Sequence, residues 1–149
     1  MNLFLFCLLT HIIGLTLAAG TTFISFPVNL RFWKFYGTEK AKALTLMELA
    51  NRFPRVIGIG IGLLLLSGFY MMYLTKGIFA GQLWFRIKIV LVLLVIANSF
   101  VAKALGKRVK VMVAEEGSIG GLQRKVMAFY LVQLILFLTI FVLGVFKFT

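Results

Sequence analysis

The chain has 149 residues, of which 62% are hydrophobic and only 13% are charged, and its mean hydropathy is +1.06. A globular domain of this length has too little interior to bury so much apolar surface, so the composition excludes a water-soluble protein. The formal net charge of +12 is also found in nucleic-acid-binding proteins, but the distribution of the charges along the chain argues against nucleic acid as a partner.

Four runs of apolar residues are long enough to cross a bilayer, which takes about 20 helical residues. They cover approximately residues 3–30, 56–74, 83–105 and 126–146. The first run is interpreted as a retained anchor rather than a cleaved signal, because it lacks a basic start and is too long for a signal core. The sequence therefore predicts one all-α domain over 1–149, an integral membrane four-helix antiparallel bundle.

The basic residues cluster in two of the three connections between these spans. The first and third connections hold six each, whereas the second holds only Lys76. This is the positive-inside pattern, which predicts that both termini lie outside the cytoplasm and that the basic loops meet anionic headgroups. We expect the bacterial inner (plasma) membrane as the location. The clustered residues are Arg31, Lys34, Lys40, Lys42, Arg52, Arg55, Lys103, Lys107, Arg108, Lys110, Arg124 and Lys125.

Two prolines bear on the predicted helix boundaries. Pro27 predicts the end of the first helix, and Pro54 is typical of the first turn of the second span. Between them, residues 38–53 are compatible with an amphipathic helix lying on the bilayer surface. Its predicted apolar side is formed by Ala41, Leu44, Met47 and Phe53.

Small and polar residues form a stripe along the first span, and His11, the only histidine of the chain, belongs to it. A polar stripe in a membrane helix is expected to face protein. Gly58 and Gly62 predict a second close-packing face on the second span, continued by Phe69, Met72 and Tyr73. The stripe of the first span comprises His11, Gly14, Leu15, Ala18, Thr22, Ser25 and Asn29.

The third span carries two cations near its outer end, Arg86 and Lys88. Helical spacing places Lys88 on the same stripe as Trp84 and Asn98, and places Arg86 on the opposite side. Lys88 is therefore expected to point inward, whereas Arg86 is either a snorkelling anchor or a ligand clamp.

The predicted topology brings His11, Trp84, Lys88 and Met72 to the outer half of the bundle, where a cofactor pocket between helices is plausible. Each residue also has a simpler interpretation. His11 is then a hydrogen-bonded core residue, Lys88 snorkels to the surface, and Met72 only fills space. The sequence alone does not separate these alternatives.

Three segments resemble the HemJ-type protoporphyrinogen oxidases and their CopD-like relatives. They are Leu9-Thr10-His11-Ile12-Ile13, Ala18-Ala19-Gly20, and Leu83-Trp84-Phe85-Arg86-Ile87-Lys88. The resemblance implies a b-type haem ligated through its iron by His11, with Trp84 and Lys88 as catalytic residues. The chain departs from the family at Asn98, in about the region where HemJ proteins usually carry a further histidine.

With this resemblance, we expect a membrane redox protein that oxidises protoporphyrinogen IX to protoporphyrin IX in haem biosynthesis. The cofactor would be haem b, bound by His11 with Arg86 and Met72 also at the site. The alternative is a non-catalytic membrane subunit, or a small binding or transport module without a cofactor. Either kind of protein is expected to form a homo-oligomer or to join a membrane partner.

Overall fold

A computed structural model of the chain describes residues 2–115, 117 and 120–145. Within them, four segments are long and apolar enough to cross a membrane, and all regular structure is helical. The predicted all-α fold is therefore confirmed; Phe146, the predicted end of the fourth span, lies outside the described residues. The helices are α1 (Leu3–Tyr36), α2 (Lys40–Ala50), α3 (Phe53–Leu74), α4 (Leu83–Ala114) and α5 (Gly120–Val145), with a 3₁₀ helix, Ile78–Gly81, between α3 and α4.

The helices alternate in direction, as residue pairs between α1 and its neighbours show. His11 contacts Ser67 and Gly14 contacts Gly60, so residue numbers rise along α1 as they fall along α3. The side chain of Asn29 is hydrogen-bonded to Tyr130, and Ala18 shares a buried cluster with Phe137, so α5 is antiparallel to α1. We call the end of the bundle that holds the start of α1 the histidine end, and the opposite end the basic end.

α1 is longer than its sequence predicts, because Pro27 lies inside the helix and does not end it. Proline removes one backbone donor, which costs a few kcal/mol in a helix interior. The residues that follow it are well packed: Phe32 and Trp33 are only 3% and 4% exposed. Burial of these two aromatic side chains offsets the local cost of the proline and keeps the helix continuous to Tyr36.

The bundle has two hydrophobic cores at different depths. One lies within the spans and joins Ala18 of α1 to Val95 of α4 and Phe137 of α5. The other, the basic-end core, lies at and beyond the ends of the predicted spans, where α1, α2, α4 and α5 meet. Its buried members are Phe32, Trp33, Ala43, Leu105, Met112 and Val126.

The first connection contains a helix, α2, as expected, and its position on the bilayer surface stays a prediction. Its predicted apolar side is partly wrong, since Leu44 is 44% exposed and Ala41 is exposed as well. Ala43 is instead 1% exposed and packs with Met47 in the basic-end core. The reason is that α2 packs against α1, so the neighbouring helix determines which side is buried.

The close-packing face predicted on α3 is wrong by two residues. A Cβ built on Gly58 or Gly62 meets nothing within 4 Å, whereas one on Gly60 would lie 2.7 Å from the Ala18 backbone nitrogen. Phe69 and Tyr73, expected to continue the face, are 73% and 78% exposed. Three glycines at alternate positions offer two possible faces, and the partner helix α1 packs against the one that contains Gly60.

Candidate functional site

His11 lies in α1 about two turns from the histidine end and is partly buried against α3. Its Nδ1 is 2.9 Å from Oγ of Ser67, whose side chain is buried. The Ser67 hydroxyl donates its proton to the carbonyl of Leu63, 2.5 Å away. The serine oxygen is therefore the acceptor of the His11 contact, and the histidine donates from Nδ1.

This pair of hydrogen bonds selects one tautomer of the neutral imidazole. With the proton on Nδ1, the lone pair is on Nε2. Metal-ligating histidines have the same arrangement. They donate one ring N–H to a neighbouring oxygen and bind the metal through the lone pair of the other nitrogen.

A tight seam between α1 and α3 borders the histidine on the side of the basic end. A Cβ on Gly14 would approach both the Gly60 carbonyl oxygen and the Leu64 nitrogen to 2.9 Å, so the two backbones touch there. Gly68 lies beside the imidazole, with the position of its missing Cβ 3.5 Å from Cε1 of His11. The seam holds His11 against Ser67 and leaves no space for a ligand between α1 and α3 at Gly14.

Lys88, in α4, is close enough to His11 for an electrostatic interaction. Its ammonium group interacts electrostatically with His11, although the two residues lie 77 positions apart in the chain. The side chain is partly buried, which agrees with the inward direction expected from its helical stripe. Of the residues expected to converge on the site, Lys88 is the one that interacts electrostatically with His11 in the described structure; their sharing a cofactor site stays a prediction.

Trp84 lies one turn before Lys88 and is 8% exposed. Its ring packs against Phe79 and Phe85, and its Nε1 donates to Oε1 of Gln82. The tryptophan is therefore fixed at the start of α4. The hydrogen-bond donor of its indole is already paired with Gln82.

Arg86 and Met72 do not join His11 among the described contacts. Arg86 is exposed, and its Nε donates to the Ala80 carbonyl at 3.3 Å, a position that suits a snorkelling anchor. Met72 is partly buried but stands about 140° around α3 from Ser67, given 100° per residue. Their assignment to a cofactor site stays a prediction.

The other inward polar residues are hydrogen-bonded to residues other than His11. Asn98 Nδ2 donates to Oε1 of Gln133 at 2.6 Å and links α4 to α5, whereas Ser99 bonds to the Val95 carbonyl in its own helix. The part of the chain that the structure describes contains no group of three or more His, Cys, Asp or Glu side chains able to hold a metal ion. Haem iron, by contrast, needs only one strong axial ligand from the protein.

Sequence reasoning did not identify Ser67 as a partner of His11. The usable signal is its spacing, since Ser67 follows Gly60 by seven residues and so lies on the same side of α3. The packing face predicted from Gly58 and Gly62 lies on the opposite side of α3 from Ser67, so it did not indicate this residue.

Comparison with family models, with curated proteins and with solved structures found no match for this chain.

Proposed function

We propose that the protein is a membrane redox protein that binds b-type haem through Nε2 of His11 and oxidises protoporphyrinogen IX to protoporphyrin IX. The observation that carries the proposal is the His11–Ser67 hydrogen bond, which leaves the Nε2 lone pair for an iron. The resemblance to the HemJ-type oxidases supports the same residue. The proposal also places both termini outside the cytoplasm of a bacterial inner membrane, in keeping with the basic loops.

A haem bound to His11 could approach the imidazole only from outside the α1–α3 seam. The seam at Gly14 and Gly60 is closed, so the α1–α3 interface cannot take a porphyrin there. In α4, Lys88 interacts electrostatically with His11, and the buried Trp84 lies one turn before that lysine. A lysine ammonium pairs well with a propionate carboxylate, and a flat indole packs well against an apolar ring.

When bound, haem would supply the one-electron chemistry that these side chains lack. The chain's own residues have simpler tasks. His11 binds the iron, Ser67 holds the imidazole in the required tautomer, and Lys88 neutralises acidic groups of the porphyrin. Trp84 would form part of the wall that keeps water from the substrate.

A second candidate is supported by a different observation. The Asn98–Gln133 bond and the Gly14–Gly60 seam both hold helices together, and similar bonds are worth on the order of 1 kcal/mol in a membrane. In a non-catalytic subunit without a cofactor, the His11–Ser67 bond would be one more such contact. Haem binding requires the imidazole of His11 as a ligand, whereas helix packing requires only a side chain at position 11 that can form a hydrogen bond.

Replacement of Ser67 by alanine tests the orienting role directly. Ser67→Ala removes the acceptor of the Nδ1 proton, so the imidazole loses its fixed tautomer, and we expect haem affinity to fall about 10- to 100-fold. The measurement is a titration of haemin into the detergent-purified protein, followed by its Soret absorption.

Ser99→Ala is the matched control, because the Ser99 hydroxyl bonds only to its own helix at Val95. This variant should bind haemin as the wild type does. An unchanged affinity in a folded Ser67→Ala protein would show that Ser67 does not orient an iron ligand.

A further inference from the structure

A cavity of about 100 Å³ lies at the basic end, between α1, α2, the start of α3, α4 and α5. It is separate from the His11 site, since Asn29 in its wall is 18 residues from His11, or about 27 Å along α1. Its wall is largely apolar, with Phe32, Leu105 and Phe129 among its members.

Four polar side chains interrupt this apolar lining: Asn29, Asn51, Lys110 and Tyr130. Asn29 and Tyr130 are hydrogen-bonded to each other, and Nδ2 of Asn29 also donates to the Ser25 carbonyl at 2.9 Å. Lys110 is exposed and adds a positive charge at the rim. The cavity thus offers an apolar interior, amide and phenol groups, and one cation.

The positions of basic residues in the surrounding helices indicate the depth of the cavity in the bundle. In each of four helices, a lining residue stands next to, or two residues from, the cation that borders the uncharged stretch of that helix. Hydrocarbon gives way to headgroups at this level of a bilayer. The pairs are Asn29 and Arg31 in α1, Pro54 and Arg55 in α3, Ala102 and Lys103 in α4, and Val126 and Lys125 in α5.

We propose that this cavity is a binding site for one anionic phospholipid of the membrane leaflet at the basic end. The phosphate meets Lys110, and the upper part of an acyl chain lies against Phe32 and Leu105. Charge complementarity supports this occupant, because 12 of the 16 basic residues belong to the connections at this end. A free phosphate ion would leave the apolar part of the cavity unfilled.

The test uses native mass spectrometry of the full-length protein in mild detergent, titrated with phosphatidylglycerol, phosphatidylcholine or inorganic phosphate. We expect one retained phosphatidylglycerol, weaker retention of phosphatidylcholine, and no retained phosphate. Lys110→Met removes the charge and keeps the apolar stem, and should weaken phosphatidylglycerol binding about fivefold. Lys34→Met, an exposed lysine outside the cavity wall, is the charge-matched control and should bind as the wild type does.

A second variant fills the cavity and leaves the charge of Lys110 in place, and it has its own control. Gly106 lines the cavity, and a Cβ added to it meets nothing within 4 Å, so Gly106→Leu should fill the cavity without a backbone clash and abolish the retained lipid. Gly58→Leu, equally open but outside the cavity, should retain it. Equal retention of the two phospholipids, retention of inorganic phosphate, or wild-type binding by both Lys110→Met and Gly106→Leu would overturn the proposal.

Discussion

Replacing Gly60 by alanine should destabilise the bundle by about 1–3 kcal/mol, as overpacking of a close contact does. The added methyl would stand 2.7 Å from the Ala18 nitrogen and 2.8 Å from the Gly14 carbonyl oxygen. Both are backbone atoms, which a side-chain rotation cannot move, so α1 and α3 must separate. The measurement is the midpoint of thermal unfolding in detergent, compared with that of the wild type.

Gly62→Ala is the matched control two residues away on the same helix. Its new methyl meets nothing within 4 Å, and alanine is the better helix former by up to about 1 kcal/mol, so stability should be equal or higher. The reverse order, with Gly62→Ala the less stable variant, would show that α1 packs against the face originally predicted from Gly58 and Gly62.

Replacing His11 by alanine should abolish haem binding, because the chain has no other histidine to act as axial ligand. The fold should lose the hydrogen bond to Ser67 and a hydrogen bond to the backbone of Leu64, each worth on the order of 1 kcal/mol. The expected result is a monodisperse protein, by size-exclusion chromatography, without a Soret band.

His11→Gln separates ligation from packing. Glutamine retains hydrogen-bonding capacity but is not an axial ligand of haem iron, so the proposed redox protein should lose its cofactor. If instead His11→Gln, or His11→Ala, retained haem as the wild type does, His11 would not be the ligand. Retained cellular activity in His11→Gln would favour the non-catalytic subunit.

The features that the sequence predicted well depend on one helix at a time. Hydropathy identifies four membrane-length segments, and the stripe of α1 does face protein, with Ala18 and Ser25 fully buried. The inward position of Lys88 follows equally from helical spacing. These features need only the period of the helix and the high cost of placing polar groups against lipid.

The features that the sequence did not predict depend on a neighbouring helix. The choice between Gly60 and the pair Gly58 and Gly62 is made by how α1 lies against α3. The continuation of α1 past Pro27 depends on the basic-end core, which lies outside the apolar spans and has no hydropathy signal of its own. Ser67 was not identified for the same reason, since its role depends on the position of His11 across the seam.

The most direct test of the proposed redox function is the visible absorption spectrum of the protein purified from membranes in mild detergent, before and after dithionite. Expression should be carried out with ample haem supply. We expect a Soret band in the oxidised protein and the sharpened α and β bands of a b-type haem after reduction. A spectrum without visible bands in the folded wild-type protein would contradict haem binding and favour a cofactor-free subunit.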